Sequence, residues 1–188
     1  MRKIGLTACA VVLSAAAAGG RPLAAQAPGR PGEYESTVVA AAVTDLLHRL
    51  RTNDGVPEGT IRYDPRPVEP RESDQPGYSM PVTVYLLGEP DSAGSAAVQQ
   101  ATGAEAGNIQ TSRVCANDSL RSCTLGDAVA VFAASEPAVA RDSAQVIVKA
   151  LWLSDLVKQP VQEGVFRLTL QRDPDGWRVV RTETLMIS

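Results

Sequence analysis

Two stretches decide the fold: Ser143–Leu153, SAQVIVKALWL, and Gly164–Val180, GVFRLTLQRDPDGWRVV. In the first, Ala144, Val146, Val148, Ala150 and Trp152 take every second position. In the second, Phe166, Leu168 and Leu170 alternate with Arg167, Thr169 and Gln171. Side chains on a strand alternate between its two faces, so this pattern predicts two strands, each with one face inward. Asp173-Pro174-Asp175-Gly176 is hairpin-turn chemistry. It should fold Gly176–Ser188, GWRVVRTETLMIS, back as a further long strand. Upstream, DAVAVFAA at 127–134 reads as a strand of the same sheet.

The N-terminal half has another period. Val39, Val43, Leu46 and Leu50 recur at spacings of four, three and four, which is one face of a helix. Ser36 or Thr37 is placed to cap it, and Asn53-Asp54-Gly55 to stop it. His48, Asp45 and Arg49 fall opposite the apolar face. A short strand, Thr60–Tyr63, should end at Asp64-Pro65. Five prolines among charges make residues 65–81 a loop-like excursion. Residues 82–88 fit strand or helix. Asp91 or Ser92 caps a second helix, weakened by its glycines. Helices followed by long strands indicate an α+β domain. We expect two or three N-terminal helices on a curved, mainly antiparallel sheet of four to five strands, built as one domain from 34 to 188.

The first residues read as an export signal. Arg2 and Lys3 precede an uncharged apolar run, Ile4–Ala18, and small residues follow up to Ala25-Gln26-Ala27. Residues 1–27 are therefore expected to be a leader, with cleavage after Ala25 or Ala27, and 28–33 a flexible start. The run is shorter than the roughly 20 residues a bilayer span needs. Cys9 follows no apolar run, so it is not a lipid-attachment site, and it would leave with the leader. Of the 18 basic residues three lie in the leader, leaving 15 against 21 acidic ones, a formal charge of −6. That balance disfavours nucleic acid as a partner. After cleavage no integral membrane span remains, and the chain is expected in the periplasm or outside the cell.

Two cysteines then remain, Cys115 and Cys123, within RVCANDSLRSC at 113–123. A zinc site needs four ligands and the chain has one His. A redox pair of the thioredoxin type needs C-x-x-C. In an oxidising compartment the pair is a disulfide, closing a nine-residue loop for roughly 2.6 kcal/mol by the chain-entropy relation. Asn117-Asp118-Ser119 forms a glycosylation triplet that matters only in a host that glycosylates.

Other chemistries lack their residues. Gly77 and Ser79 fall short of a nucleophile elbow. There is no phosphate-binding loop, no dinucleotide fingerprint and no H-E-x-x-H, so no cofactor is expected. Asp173 and Asp175 lack the further oxygen ligands of a calcium loop. His48 would be a base only if its helix lined a pocket. Four residues form a candidate pocket: Trp152, Asp64, Arg181 and Glu183. Trp177, Val179, Arg181, Glu183, Leu185 and Ile187 share one face by period two. Either Arg181 and Glu183 point inward as a charge pair, or a β-bulge turns them out.

The order helix, short strand, helix, then a meander ending in RDPDGWRVV at 172–180, resembles the cone-shaped nuclear transport factor two-like superfamily, which includes SnoaL-like polyketide cyclases and scytalone dehydratase. The resemblance covers most of residues 34–188. It implies a cone-like sheet, with an Asp or His inside the cone where the member is an enzyme; no motif here carries such a residue over. The superfamily also holds many non-catalytic binding proteins. Function is thus expected to be non-catalytic binding of a small molecule or a protein partner. The alternatives are a cofactor-free hydrolase, isomerase or dehydratase, with Asp64 or Glu183 as base and Arg181 as oxyanion partner, and a structural envelope component.

Overall fold

The computed structural model describes residues 31–72, 82–86, 90–116, 123–156 and 161–188. The leader, Gly77, Ser79 and the triplet at Asn117 lie outside the described residues. Helix α1 spans Pro31–Asp54. It begins inside the stretch expected to be flexible, and Ser36 is a buried residue within it rather than its cap. Proline suits a first helical position, because its φ is already helical and its missing N–H would have no partner there. Val39, Val43, Leu46 and Leu50 are all buried, as the spacing requires. The helix stops where expected. Gly55 adopts φ 65°, a left-handed value that favours glycine. A Cβ there would lie 2.8 Å from Leu156 Cγ. The end is tied down from across the chain, since Ser154 Oγ donates to the Asp54 carbonyl at 2.6 Å.

Strand β1 is Thr60–Asp64. β2, Val68–Glu72, and β3, Val82–Leu86, form an antiparallel hairpin. The proline-rich excursion thus contains a strand. Pro70 pairs with Val84 in a two-stranded sheet, an edge position that tolerates a residue without an N–H. α2 spans Ser92–Thr102, and its cap is Asp91, which accepts from the Ala93 and Gly94 N–H groups at 3.0 Å each. Then come β4 (Glu105–Ala106), β5 (Val114–Cys115), β6 (Cys123–Thr124), β7 (Ala128–Ala134), β8 (Ala138–Ala140), β9 (Ser143–Leu153), β10 (Val161–Asp173) and β11 (Gly176–Ile187).

The main sheet has seven strands in the order β11-β10-β9-β7-β1-β4, with β8 beside β9. The expected antiparallel run is there: β7–β9, β9–β10 and β10–β11 are all antiparallel. The sheet is nevertheless mixed and larger than expected, because β1 joins β7 and β4 in parallel. β4 and β8 have two and three residues, too few to show any period in sequence.

α1 and α2 pack on one face of this sheet. That face supplies Ile61, Tyr63, Phe132, Val146, Val148, Trp152, Phe166 and Leu168 to the larger core. The other face carries a second core, where Val131, Ala133, Leu151 and Val161 meet Val68 of the β2–β3 hairpin and Ile109, Cys123 and Leu125. Trp177, expected in the core, is only half-buried at its margin.

Candidate functional site

The hairpin does not cover the second face completely. Between the start of β2, the β7–β8 connection and the middles of β9 and β10 lies a groove of about 510 Å3. Pro67, Val68, Ala138 and Ile147 form its apolar walls. Ser135, Glu136, Gln145, Glu69 and Arg167 place polar groups along it. Arg167 Nη1 also contacts Glu183 Oε2 at 3.3 Å. Period two explains Arg167: with Leu168 and Phe166 inward, its side chain must leave by the opposite face.

Glu183 and Arg181 are turned off the core face together by their register. Thr169 pairs with Arg181 but Leu170 pairs with Val179, so Val180 is an extra residue in β11. This β-bulge reverses the alternation beyond it. Leu168 of the core face now faces Thr182. Arg181 is exposed, and Glu183 stands beside Arg167 on the groove side with 42% of its side chain exposed. A second shift leaves Leu185 unpaired in register, and Ile187, expected inward, is 57% exposed. A half-exposed ion pair contributes little. Glu183→Ala and Arg181→Ala should therefore each change unfolding free energy by no more than roughly 0.5 kcal/mol, read from thermal melts. A loss of several kcal/mol for either would show a buried charge pair instead.

Asp64 occupies another place. Its side chain is 1% exposed and faces away from α1, at the end of β1. Arg66 Nε and Nη2 donate to Oδ1 and Oδ2 at 3.0 and 2.7 Å. The Arg66 N–H adds a bond to Oδ1 at 3.1 Å, and the Ile109 N–H one to Oδ2 at 3.0 Å. Burial alone would raise this carboxyl's pKa. The Arg66 and Ile109 hydrogen bonds and the Arg66 charge outweigh it and hold the value below the ordinary 3.8.

Trp152 is buried in the helix-side core, 1% exposed, tilted at 45° against Phe166 with centroids 6.1 Å apart. Among the described residues its indole N–H has no partner. The structure thus does not gather the four candidate pocket residues into one site: Trp152 is in the core, Asp64 at the end of β1, and Arg181 and Glu183 on the face of β11 turned away from the helices, Arg181 exposed and Glu183 beside the groove. His48 is exposed on α1. Among the described residues no three His, Cys, Asp or Glu side chains are grouped to hold a metal ion, and Asp173 instead accepts from the Asp175 N–H in the hairpin turn.

Cys115 and Cys123 face each other across β5–β6, with sulfurs 1.95 Å apart. No helix among the described residues is long and apolar enough to cross a membrane. The groove residues escaped the sequence reading because four separate segments supply them. The one local signal was an arginine, Arg167, in the middle of an apolar strand. Comparison with protein-family models, with curated proteins and with solved structures finds no match.

Proposed function

We propose that this chain is an exported, disulfide-stapled α+β domain that binds a small, largely apolar molecule and performs no bond chemistry. The groove carries the reading. Its volume of about 510 Å3 falls within the roughly 300–1,000 Å3 of small-molecule sites, and apolar walls with a few polar groups are their usual lining. The enzyme alternative is weaker for a chemical reason. Asp64, the buried carboxylate it nominates, is engaged by Arg66 and Ile109 and held ionised, so it is a poor base. The order of α1, β1, α2 and the antiparallel meander supports a nuclear transport factor two-like origin, a fold that hosts binding proteins as readily as enzymes.

The neutral fluorophore N-phenyl-1-naphthylamine tests the groove. Wild-type protein should bind it with saturation. Ala138→Trp, which fills the groove from an exposed position, should weaken binding at least about tenfold, the equivalent of roughly 1.4 kcal/mol. Equal binding by both proteins would overturn the assignment. Export has its own test. Protein recovered from the native host should begin between Gln26 and Gly29. Non-reducing peptide mapping should find Cys115 joined to Cys123, and Cys115→Ser should lower stability by up to about 2.6 kcal/mol. A chain that keeps Met1, or two freely alkylated thiols, would refute export.

A further inference from the structure

A second, smaller cavity of about 300 Å3 lies on the helix side of the sheet, where α1, the start of α2 and the ends of β1 and β7 meet. Its wall is acidic. Glu35 of α1, the α2 cap Asp91 and Glu136 after β7 all line it, and among the described residues no Lys or Arg does. Arg66, between the lining residues Pro65 and Pro67, is held by Asp64. Acidic residues alone would be an ordinary solvated surface. The independent observation is Tyr63. It lines the cavity and is 4% exposed. Burial raises its phenol's pKa, and the charges of Asp91 and Asp64 raise it further, so the hydroxyl stays neutral. Among the described residues no hydrogen bond reaches that hydroxyl, and it is not one of the sealed-in polar atoms, so it opens on the cavity. Asp91 adds a free acceptor: both of its capping bonds go to Oδ1, and Oδ2 takes none from a described residue.

We infer that this cavity binds an organic ammonium ion, with the Tyr63 hydroxyl and the Asp91 and Glu136 carboxylates as acceptors and Val39, Ala93 and Ala134 around the apolar body. An ammonium group offers the positive charge that the described wall lacks, with donors for its carboxylates. Inorganic cations fit less well, since no three acidic side chains among the described residues are grouped for metal coordination. The cavity shares Pro67, Ser135 and Glu136 with the groove, whereas Tyr63 and Asp91 line the cavity and not the groove, so their variants test it independently of groove binding.

Calorimetric titration with benzylammonium chloride at low ionic strength tests it, with benzyl alcohol as the neutral analogue and N-acetyl-lysine methylamide as the model of a protein-borne ammonium. Benzylammonium should bind at least about tenfold more tightly than benzyl alcohol, and added salt should weaken it. Tyr63→Phe keeps the ring, and Asp91→Asn keeps a capping oxygen. Each should cost about tenfold in affinity, the scale of a lost hydrogen bond to a charged group. Glu136→Gln, at an exposed position, should weaken binding without disturbing the fold. Tighter binding of benzylammonium than of the lysine model assigns a free amine, and the reverse assigns a partner's side chain; both support the cation site. No binding of either cation at about 10 mM, roughly ten times a 1 mM dissociation constant, would overturn it. So would affinity unchanged in all three variants.

Discussion

Asp64→Ala should destabilise the domain by about 3 kcal/mol at pH 7. The carboxylate is 1% exposed and accepts four hydrogen bonds, three from Arg66 and one from the Ile109 N–H. Removing it leaves a guanidinium and a buried backbone donor without an acceptor. Breaking a buried pair commonly costs roughly 3–5 kcal/mol. The lower end applies because the Arg66 side chain is 29% exposed and can rehydrate. Asp64→Asn keeps one acceptor oxygen and should cost less. The pH dependence has a definite sign. The folded-state pKa is lowered, so below the ordinary 3.8 the unfolded chain binds the proton more readily than the folded one. The stabilisation is complete above that value and is lost as pH falls through the lowered one. Urea unfolding of wild type should weaken on acidification across that window, and Asp64→Asn should show a shallower decline. A change under about 1 kcal/mol for Asp64→Ala would mean that water already satisfies the site.

Trp152→Ala should cost about 3–5 kcal/mol, the range for emptying a large aromatic site in a packed core. The ring is 1% exposed and is held in place from both neighbouring strands. Gly164 of β10 leaves it room: a Cβ there would lie 3.0 Å from Trp152 Cζ3 and 2.7 Å from the Phe166 ring. Trp152→Phe should cost far less, under about 2 kcal/mol. It loses apolar area but also removes a buried N–H with no partner among the described residues, whose burial costs roughly 1–3 kcal/mol. Denaturant melts of the two variants separate the contributions. Equal losses would show that the indole N–H finds an acceptor in solution.

What the sequence determined by itself is local. The period-two runs of β9 and β10, the turn at Asp173–Gly176, the apolar face of α1 and the Asp91 cap all stand where their residues put them. Each depends on neighbours within a turn or a strand, where steric and hydrogen-bond preferences act directly. The cysteine pair was legible for another reason: elimination of ligands left one partner for each thiol. The tertiary structure decided whatever depends on a second segment. Period two left Arg181 and Glu183 either inward or turned out by a β-bulge, and only the pairing of β11 with β10 shows the extra residue at Val180 that moves them out. Asp64 and Arg66 are two positions apart, yet the Ile109 N–H that completes their site comes from 45 residues away. β1 pairs in parallel with β7 across more than sixty residues, and no local pattern encodes that partner. The groove and the acidic cavity belong to the same class. Their walls come from segments brought together by burial of two cores, and hydrophobic burial is non-directional. It selects which faces go inside, and leaves the fit between layers to set where they fail to close.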